Sequence, residues 1–374
     1  MAVAPDVSMP HEPFASLDAL LAPETLGELA GSAIDSVRHL PFAGGHSASG
    51  SRFFTVETND GSGPRFVVKR VSREWDWIMR ATDDCAGRES LAWTSGLLDR
   101  LPPGVTHPIV ASAHDGMGWA ILMHDVTEAL FPPHDPYIGA PISEADHALF
   151  LDALAAVHTT FWDDAANTDP RTELCTPEHR YLAFSPETGR HEGDGPDPYP
   201  RIIREGWSLL PTLVEPVVSD LVLALADDPT PLTAAQARYP QTIVHGDLRP
   251  PNLGRLVTDT DAASVILLDW HFVGPGIPGV DLTWYLYTTG PGRALSPEAV
   301  IGGYRERLAA RLGSRFEEDW WRPQLELSLL GQMVRCGQDI AWAAVRHESA
   351  AVRTWARETL AWWSKQALAG ARHL

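Results

Sequence analysis

"TIVHGDLRPPNLG", residues 242–254, sets a histidine, an aspartate, an arginine and an asparagine within eight positions, between an apolar run and two prolines. Proline removes a backbone donor and clashes inside a helix, so this ionisable chemistry sits on an irregular loop that leaves a short strand. A variable stretch, "RLVTDTDAAS" (255–264), leads to a second apolar run, "VILLDW" (265–270), which delivers Asp269. Two strands joined by turn-rich chain present Asp247, Asn252 and Asp269 on one side of a site. Two carboxylates and a carboxamide oxygen are hard donors suited to Mg²⁺, which accepts one or two protein carboxylates and fills its remaining positions with water and phosphate. Phosphoryl transfer uses that combination: one carboxylate orients the attacking hydroxyl, while the other and the amide hold metal against a triphosphate.

The rest of the chain is compatible with an enzyme built around a cleft. It has 374 residues, enough for two domains or two large lobes, with 44% hydrophobic and 21% charged residues and 14 Trp. The net charge of −20 disfavours non-specific attraction to nucleic acid or anionic lipid. Cys85, Cys175 and Cys336 are far apart and lack paired spacing, so neither a disulfide framework nor a zinc site is expected. The start, "MAVAPDVSMPHEPF", has no basic segment followed by an apolar core, and no run reaches membrane-spanning length; the expectation is a cytoplasmic protein without nucleic-acid, membrane or obligate protein partners.

Along the chain, Leu17–Leu29 is helix-like. "SRFFTVET" (51–58) and "RFVVKRV" (65–71), separated by "NDGSG", predict an antiparallel hairpin, preceded by the glycine- and serine-rich turn "PFAGGHSASG" (41–50). Residues 83–101 have helical spacing, and "GWAILMHDV" (118–126) is a further strand. From about 145 the pattern turns helical: Phe150, Leu154, Val157 and Phe161 form a stripe, Ser296-Pro297-Glu298 starts a helix, and periodic stretches cover 201–226, 296–312 and 317–369. The stretch 163–200, rich in Asp, Glu, Gly and Pro, reads as a long surface loop. The expected architecture is α+β: a β-rich lobe over 1–126, a hinge near 124–128, and a helical lobe over 127–374.

His245-Gly246-Asp247, Asn252 and Leu268-Asp269, in the order H-G-D-x-x-x-x-N, apolar strand, D, resemble the signature of the aminoglycoside phosphotransferase and choline kinase superfamily, small-molecule relatives of the protein kinases. The resemblance implies a bilobal kinase-like fold. It also implies Asp247 as catalytic base or hydroxyl-orienting carboxylate, Asn252 and Asp269 as Mg²⁺ ligands, and His245 as a loop-bracing hydrogen-bonder. Lys69 in "FVVKR" matches the strand lysine that meets the nucleotide phosphates, and Glu89 its ion-pair partner. Ser47 and Ser49 stand near the tip of the loop expected over those phosphates; Met123, with backbone groups of His124 and Val126, is expected beside the adenine. The donor implied is ATP with Mg²⁺, with GTP an open alternative.

The resemblance departs from protein kinases in ways that narrow the acceptor. Trp270-His271 replaces Phe-Gly after the metal-binding Asp, and only eleven residues separate Asp269 from Asp281, leaving no room for a peptide platform. Asp281, in "GVDLTWYL", is read as a structural acid pinning the loop. A small hydroxylated acceptor is expected, such as an aminoglycoside-like or other antibiotic, an amino sugar or an amino alcohol. Asp339 and Trp342 in "CGQDIAWAAV" are candidate contacts for a cationic acceptor, as are Trp270 and His271. Asp339 is equally read as an acid satisfied by Arg335 or by a neighbouring helix, and acids within 163–197 are candidates for the mouth of that site. Arg249 either neutralises charge on the transferred phosphoryl group or bonds a nearby carboxylate. The leading expectation is therefore an ATP–Mg²⁺-dependent O-kinase; the alternatives are a catalytically idle nucleotide-binding relative and a metal-dependent phosphoesterase using His245, Asp247 and Asp269.

Overall fold

The computed structural model describes residues 11–43, 49–131, 142–164, 172–257, 263–290 and 294–374. After two short helices, α1 (Leu17–Leu20) and α2 (Pro23–Ala30), the chain lays down β1 (Val37–Pro41), β2 (Arg52–Thr58) and β3 (Arg65–Val71) as an antiparallel meander. Leu17–Leu29 is thus two helices, divided at Ala22-Pro23, where proline opens a new first turn. The helix α3 (Trp77–Ala81) is capped by Asp76, whose carboxylate accepts from the amides of Ile78 and Met79.

The segment 83–101 differs from expectation. Only Arg88–Thr94 is α-helix, α4, because Asp84 accepts from the amides of Gly87 and Arg88 and holds the preceding residues as a turn. A two-residue strand, β4 (Val105–Thr106), is followed by β5 (Ile109–Asp115), which the sequence reading did not anticipate, and β6 (Gly118–His124). The sheet order is β1-β2-β3-β6-β5. Central β3 is covered on both faces, which explains its continuous "FVVKRV" rather than an alternating pattern. It places Lys69 opposite Phe53 of β2 and Ile121 of β6.

Helices dominate the remainder. α5 (Glu144–Thr160) starts at the Ser143 cap. The expected surface loop of 163–200 instead contains, within its described part, α6 (Pro177–Leu182), α7 (Pro186–Glu192) and the start of α8 (Pro198–Leu209). Thr176 and Ser185 cap α6 and α7, each followed by Pro-Glu, the same start signal that was read at 296–298. α9 (Pro216–Asp227) and α10 (Thr230–Gln236) precede the segment 242–276.

Within that segment, β7 (Thr242–Val244) pairs with β10 (Gly274–Gly276), and β8 (Leu253–Val257) with β9 (Ala263–Leu267), which also receives β4 in parallel. α11 (Gly279–Thr288), α12 (Pro297–Leu312), α13 (Glu318–Arg346) and α14 (Ala350–Gly370) complete the fold, and the break at 347–349 divides the expected 317–369 stretch. α13 is the central column: Leu330, Met333, Val334 and Ile340 are fully buried, each contributing about 1.5–3 kcal/mol of transfer free energy. It packs against α14 and α8 and carries Arg335 and Asp339 to the site. The architecture is α+β, an antiparallel sheet followed by a mostly helical region.

Candidate active site

The loop after β7 is pinned from behind. Asp281, near the start of α11 and wholly buried, accepts the amide of His245 at 2.7 Å and that of Gly246 at 2.7 Å. Burial alone would raise its pKa; the bond from His158, the nearby imidazoles and the Gly246 amide outweigh it and hold the carboxyl below its usual range. Gly246 adopts φ +80°, and a Cβ there would lie 2.5 Å from that of Phe272, so both the backbone conformation and the close approach require glycine.

His245 spans the loop to the second strand. Its Nδ1 accepts the Asp247 amide at 3.1 Å, which assigns the proton to Nε2, bonded to the Leu268 carbonyl at 2.8 Å. Burial lowers its pKa, which favours this neutral form despite the surrounding acids. Two buried arginines brace the same loops through carbonyls. Arg335 donates to Gly246 O at 2.8 Å, while Arg180 reaches the carbonyls of Cys175, Phe272 and Pro275. The Arg335 guanidinium lies 3.9 Å from the Trp284 ring centroid, and burial pushes its pKa down to about 10.

Asp247 is 5% exposed, and both carboxylate oxygens are engaged. Trp284 Nε1 donates to Oδ1 at 2.9 Å and Asn252 Nδ2 to Oδ2 at 2.9 Å, with Arg249 Nε 3.2 Å from Oδ2. Asn252 Nδ2 also donates to the Asp247 carbonyl, which leaves the Asn252 side-chain oxygen for a metal. Asp269 has φ +66°, a left-handed conformation that aspartate tolerates better than most residues and that marks local strain at a working position. Lys69 Nζ lies 2.6 Å from Glu89 Oε2 and 2.5 Å from Asp269 Oδ1, so the sheet reaches the segment after β9 through a buried three-charge chain. Burial would lower the Lys69 pKa, but the two carboxylates override it and raise it. Asp269 is correspondingly held well below its ordinary value: His271 and Lys69 outweigh desolvation.

Two cavities meet at Ser49 and His271. One, small, lies against β3 and is lined by Ser51, Lys69, Asp76 and Glu89; the other is a cleft of about 290 Å³ that contains Asp247, Arg249 and Asp269. Ser49 and Ser51 donate to Asp76 at 3.0 and 2.7 Å, which ties the glycine-rich segment to the cap of α3. Ser47 lies outside the described residues. Met123, His124 and Val126 line neither cavity. The His124 amide is already donated to Pro108 O at 2.9 Å, so it is not open to a base.

The far side of the cleft is aromatic: Trp77, Phe184, Tyr199, Phe272, Trp284 and Tyr287. None of these was anticipated as an acceptor contact, and of them only Trp284 falls within a motif singled out from the sequence. Asp339 lines the cleft and accepts from the hydroxyl of Tyr287 on the neighbouring helix α11. Trp270 and Trp342 do not line it. Trp270 is buried behind Asp269, its Nε1 donating to Leu267 O, and Trp342 turns to Glu205 of α8. The anticipated acidic mouth is also altered, since Glu192 is held by Arg80 and Asp194 by Arg204.

The phosphotransferase enzyme family model matches residues 40–323. No curated protein matches the chain in sequence. Solved structures similar to it include an ethanolamine kinase of Plasmodium vivax, at 12% identity over 88% of this chain and 82% of that one, with TM-score 0.48. A choline/ethanolamine kinase family protein of Mesorhizobium loti shares 14% identity over 94% and 96%, with TM-score 0.42. An aminoglycoside phosphotransferase of Streptomyces rimosus, solved with ADP and streptomycin, shares 18% over 77% and 94%, with TM-score 0.39.

Proposed function

The chain belongs to the phosphotransferase enzyme family, and from that premise we propose that it transfers the γ-phosphoryl group of ATP, with Mg²⁺, to a hydroxyl of a small molecule. The observation that carries the reading is the buried chain Glu89–Lys69–Asp269, which joins the phosphate side to the catalytic segment within 4.8 Å of Asp247. We assign nucleotide binding to residues 1–126 and catalysis and acceptor binding to 127–374. Among the described residues no helix is long and apolar enough to cross a membrane, and we read the protein as cytoplasmic, where ATP is supplied.

In this mechanism Lys69 and the segment at Ser49 orient the triphosphate, and Glu89 keeps the ammonium aimed. Asp269 and the side-chain oxygen of Asn252 fit a hard divalent cation; when bound, Mg²⁺ neutralises phosphate charge. Asp247 receives the acceptor's proton as its oxygen attacks phosphorus, the β–γ bridging bond breaks, and ADP departs. The bonds from Trp284 and Asn252 fix the carboxylate's orientation before the acceptor arrives. Arg249, on the cleft side of Asp247, offers donors to the phosphoryl oxygens as their charge redistributes.

The aromatic wall and Asp339, the single further acid lining the cleft among the described residues, favour an acceptor with a flat or apolar surface and one cationic group over a polycation that would need several carboxylates. The test is acceptor-dependent ADP release across antibiotics, amino sugars and amino alcohols that do or do not carry an aromatic or alicyclic face. Asp247→Asn is expected to lower turnover by about 10²–10⁴ and to leave nucleotide affinity unchanged. Nucleotide binding with no acceptor turned over would favour the idle relative instead.

A further inference from the structure

We propose that Asp76 is a positioning residue that couples the two sides of the site: nucleotide bound at the segment around Ser49 fixes the short helix α3 through Asp76, and α3 in turn orders the wall that receives the acceptor. The inference rests on the reading of the site as a nucleotide-dependent phosphotransferase, and it deepens that reading by making acceptor recognition depend on the nucleotide.

Asp76 is 3% exposed and divides its carboxylate between two structures. Oδ1 accepts the amides of Ile78 and Met79 at 3.0 and 3.2 Å, which caps α3. Oδ2 accepts the hydroxyls of Ser49 and Ser51 at 3.0 and 2.7 Å, which holds the segment leading into β2. A backbone bond runs alongside: the Trp77 amide donates to Ser49 O at 3.0 Å. Ser51 and Asp76 line the small cavity beside Lys69, whereas Trp77 lines the cleft; Ser49 and Ile78 line both. One carboxylate therefore stands between the phosphate side and the acceptor side.

The body and far end of α3 grip the helical region. Trp77 stacks on Tyr199 of α8, with ring centroids 6.1 Å apart and planes 27° from parallel, and meets Phe184 edge-on at 6.2 Å. Arg80, in the last turn, makes a two-pronged ion pair with Glu192 of α7 at 2.8 and 2.6 Å, and also donates to Arg73 O. α3 has five residues, below the length of about 12–15 at which a helix begins to hold itself in water, so its order comes from what it touches at either end. A segment steadied by phosphate at one end is then felt at the other. By linkage, an acceptor that engages Trp77 and Tyr199 tightens the nucleotide by the same factor.

The experiment uses the full chain with Mg²⁺ and a non-hydrolysable ATP analogue, and reads amide hydrogen exchange over α7, residues 186–192, which line neither cavity and meet α3 through the Arg80–Glu192 pair. Exchange there is expected to slow by about fivefold or more when the analogue binds, the lower end of ordinary coupling between two sites. Asp76→Ser keeps a side-chain oxygen to cap α3 but is too short to hold Ser49 and Ser51 as well. It is expected to bind the analogue, followed by calorimetry, and to lose the response over α7. Arg80→Gln, which cuts the other end, is expected to lose it too. Analogue bound to the wild-type chain with no slowing over α7 overturns the coupling and leaves the kinase reading standing; failure of the wild-type chain to bind the analogue overturns both. A full response in Asp76→Ser overturns the role of Asp76. Because the first comparison needs only the wild-type chain, the inference stays falsifiable even if a variant does not fold.

Discussion

In the loop from His245 to Asn252 nearly every polar side chain is engaged by another group of the protein, whereas the cleft in front of it presents six aromatic side chains from five segments and one outlying acid. The loop is over-determined: Asp281, His245, Arg335 and Trp284 hold it through separate bonds, so Asp247 has little freedom to lose when an acceptor binds. The cleft is largely an apolar surface whose occupant must supply the missing contacts. On the proposed reading, the difference teaches that chemistry and selectivity are built separately. Changes in the loop are expected to act on turnover or folding, and changes in the cleft wall on acceptor affinity.

The strongest challenge to that division is Arg249, which belongs to the loop by sequence and to the cleft by position. Arg249→Ala is expected to lower turnover by about 10²–10³, as loss of one transition-state donor does, with little change in acceptor KM or melting temperature. Lys at this position should restore part of the rate. Single-turnover rates and melting curves on the same preparations decide it: an unchanged rate per folded molecule would show Arg249 to be a brace for Asp247.

A smaller effect is expected from Asp281→Asn, which tests whether the loop is held from behind. The amide retains one oxygen acceptor but turns an NH₂ group toward one of the two backbone amides that the carboxylate served, a loss of about 2–3 kcal/mol in stability near neutral pH. Because the folded-state pKa of Asp281 is depressed, its stabilisation is present above the ordinary carboxylate pKa and disappears as pH falls through the folded value. The gap between wild type and variant in denaturant titrations should therefore narrow toward acid pH. A gap that widened there would contradict an ionised Asp281 in the native loop.

The same contrast explains what could be read before the fold was known. Asp247, Asn252 and Asp269 are close in sequence, because one loop and one strand pair carry them, and their chemistry shows in residue type and spacing. The hairpin of 52–71 was legible from two β-branched runs around "NDGSG". The helices α6 and α7 were not, although Thr176-Pro177-Glu178 and Ser185-Pro186-Glu187 carry an unambiguous start signal, because surrounding Asp, Gly and Pro gave the segment the composition of a loop. The aromatic wall of the cleft could not be read. Trp77, Phe184, Tyr199 and Tyr287 are brought together only by the packing of α3, the α6–α7 turn, α8 and α11, and each by itself looks like any core aromatic. Trp270 shows the converse: adjacency to Asp269 suggested a contact, but a left-handed turn sends the indole into the core behind it.

Asp339 offers the finest test, because it should change affinity alone. It is 5% exposed, stands among aromatic rings on α13, and accepts from the Tyr287 hydroxyl. A carboxylate at the cleft lining, flanked by aromatic faces, is a charge that an ammonium group on the acceptor would meet. Asp339→Asn keeps the shape and an oxygen for Tyr287 while removing the charge, so KM for a cationic acceptor is expected to rise about fivefold to tenfold, equivalent to about 1–1.4 kcal/mol, with kcat unchanged. An acceptor whose amine has been acetylated should bind the two proteins alike. If the substitution weakened charged and neutral acceptors equally, Asp339 would be a support for Tyr287 and the cleft would select by shape alone; if it lowered kcat instead, the separation between loop chemistry and cleft selectivity would fail at the residue where it is most exposed to test.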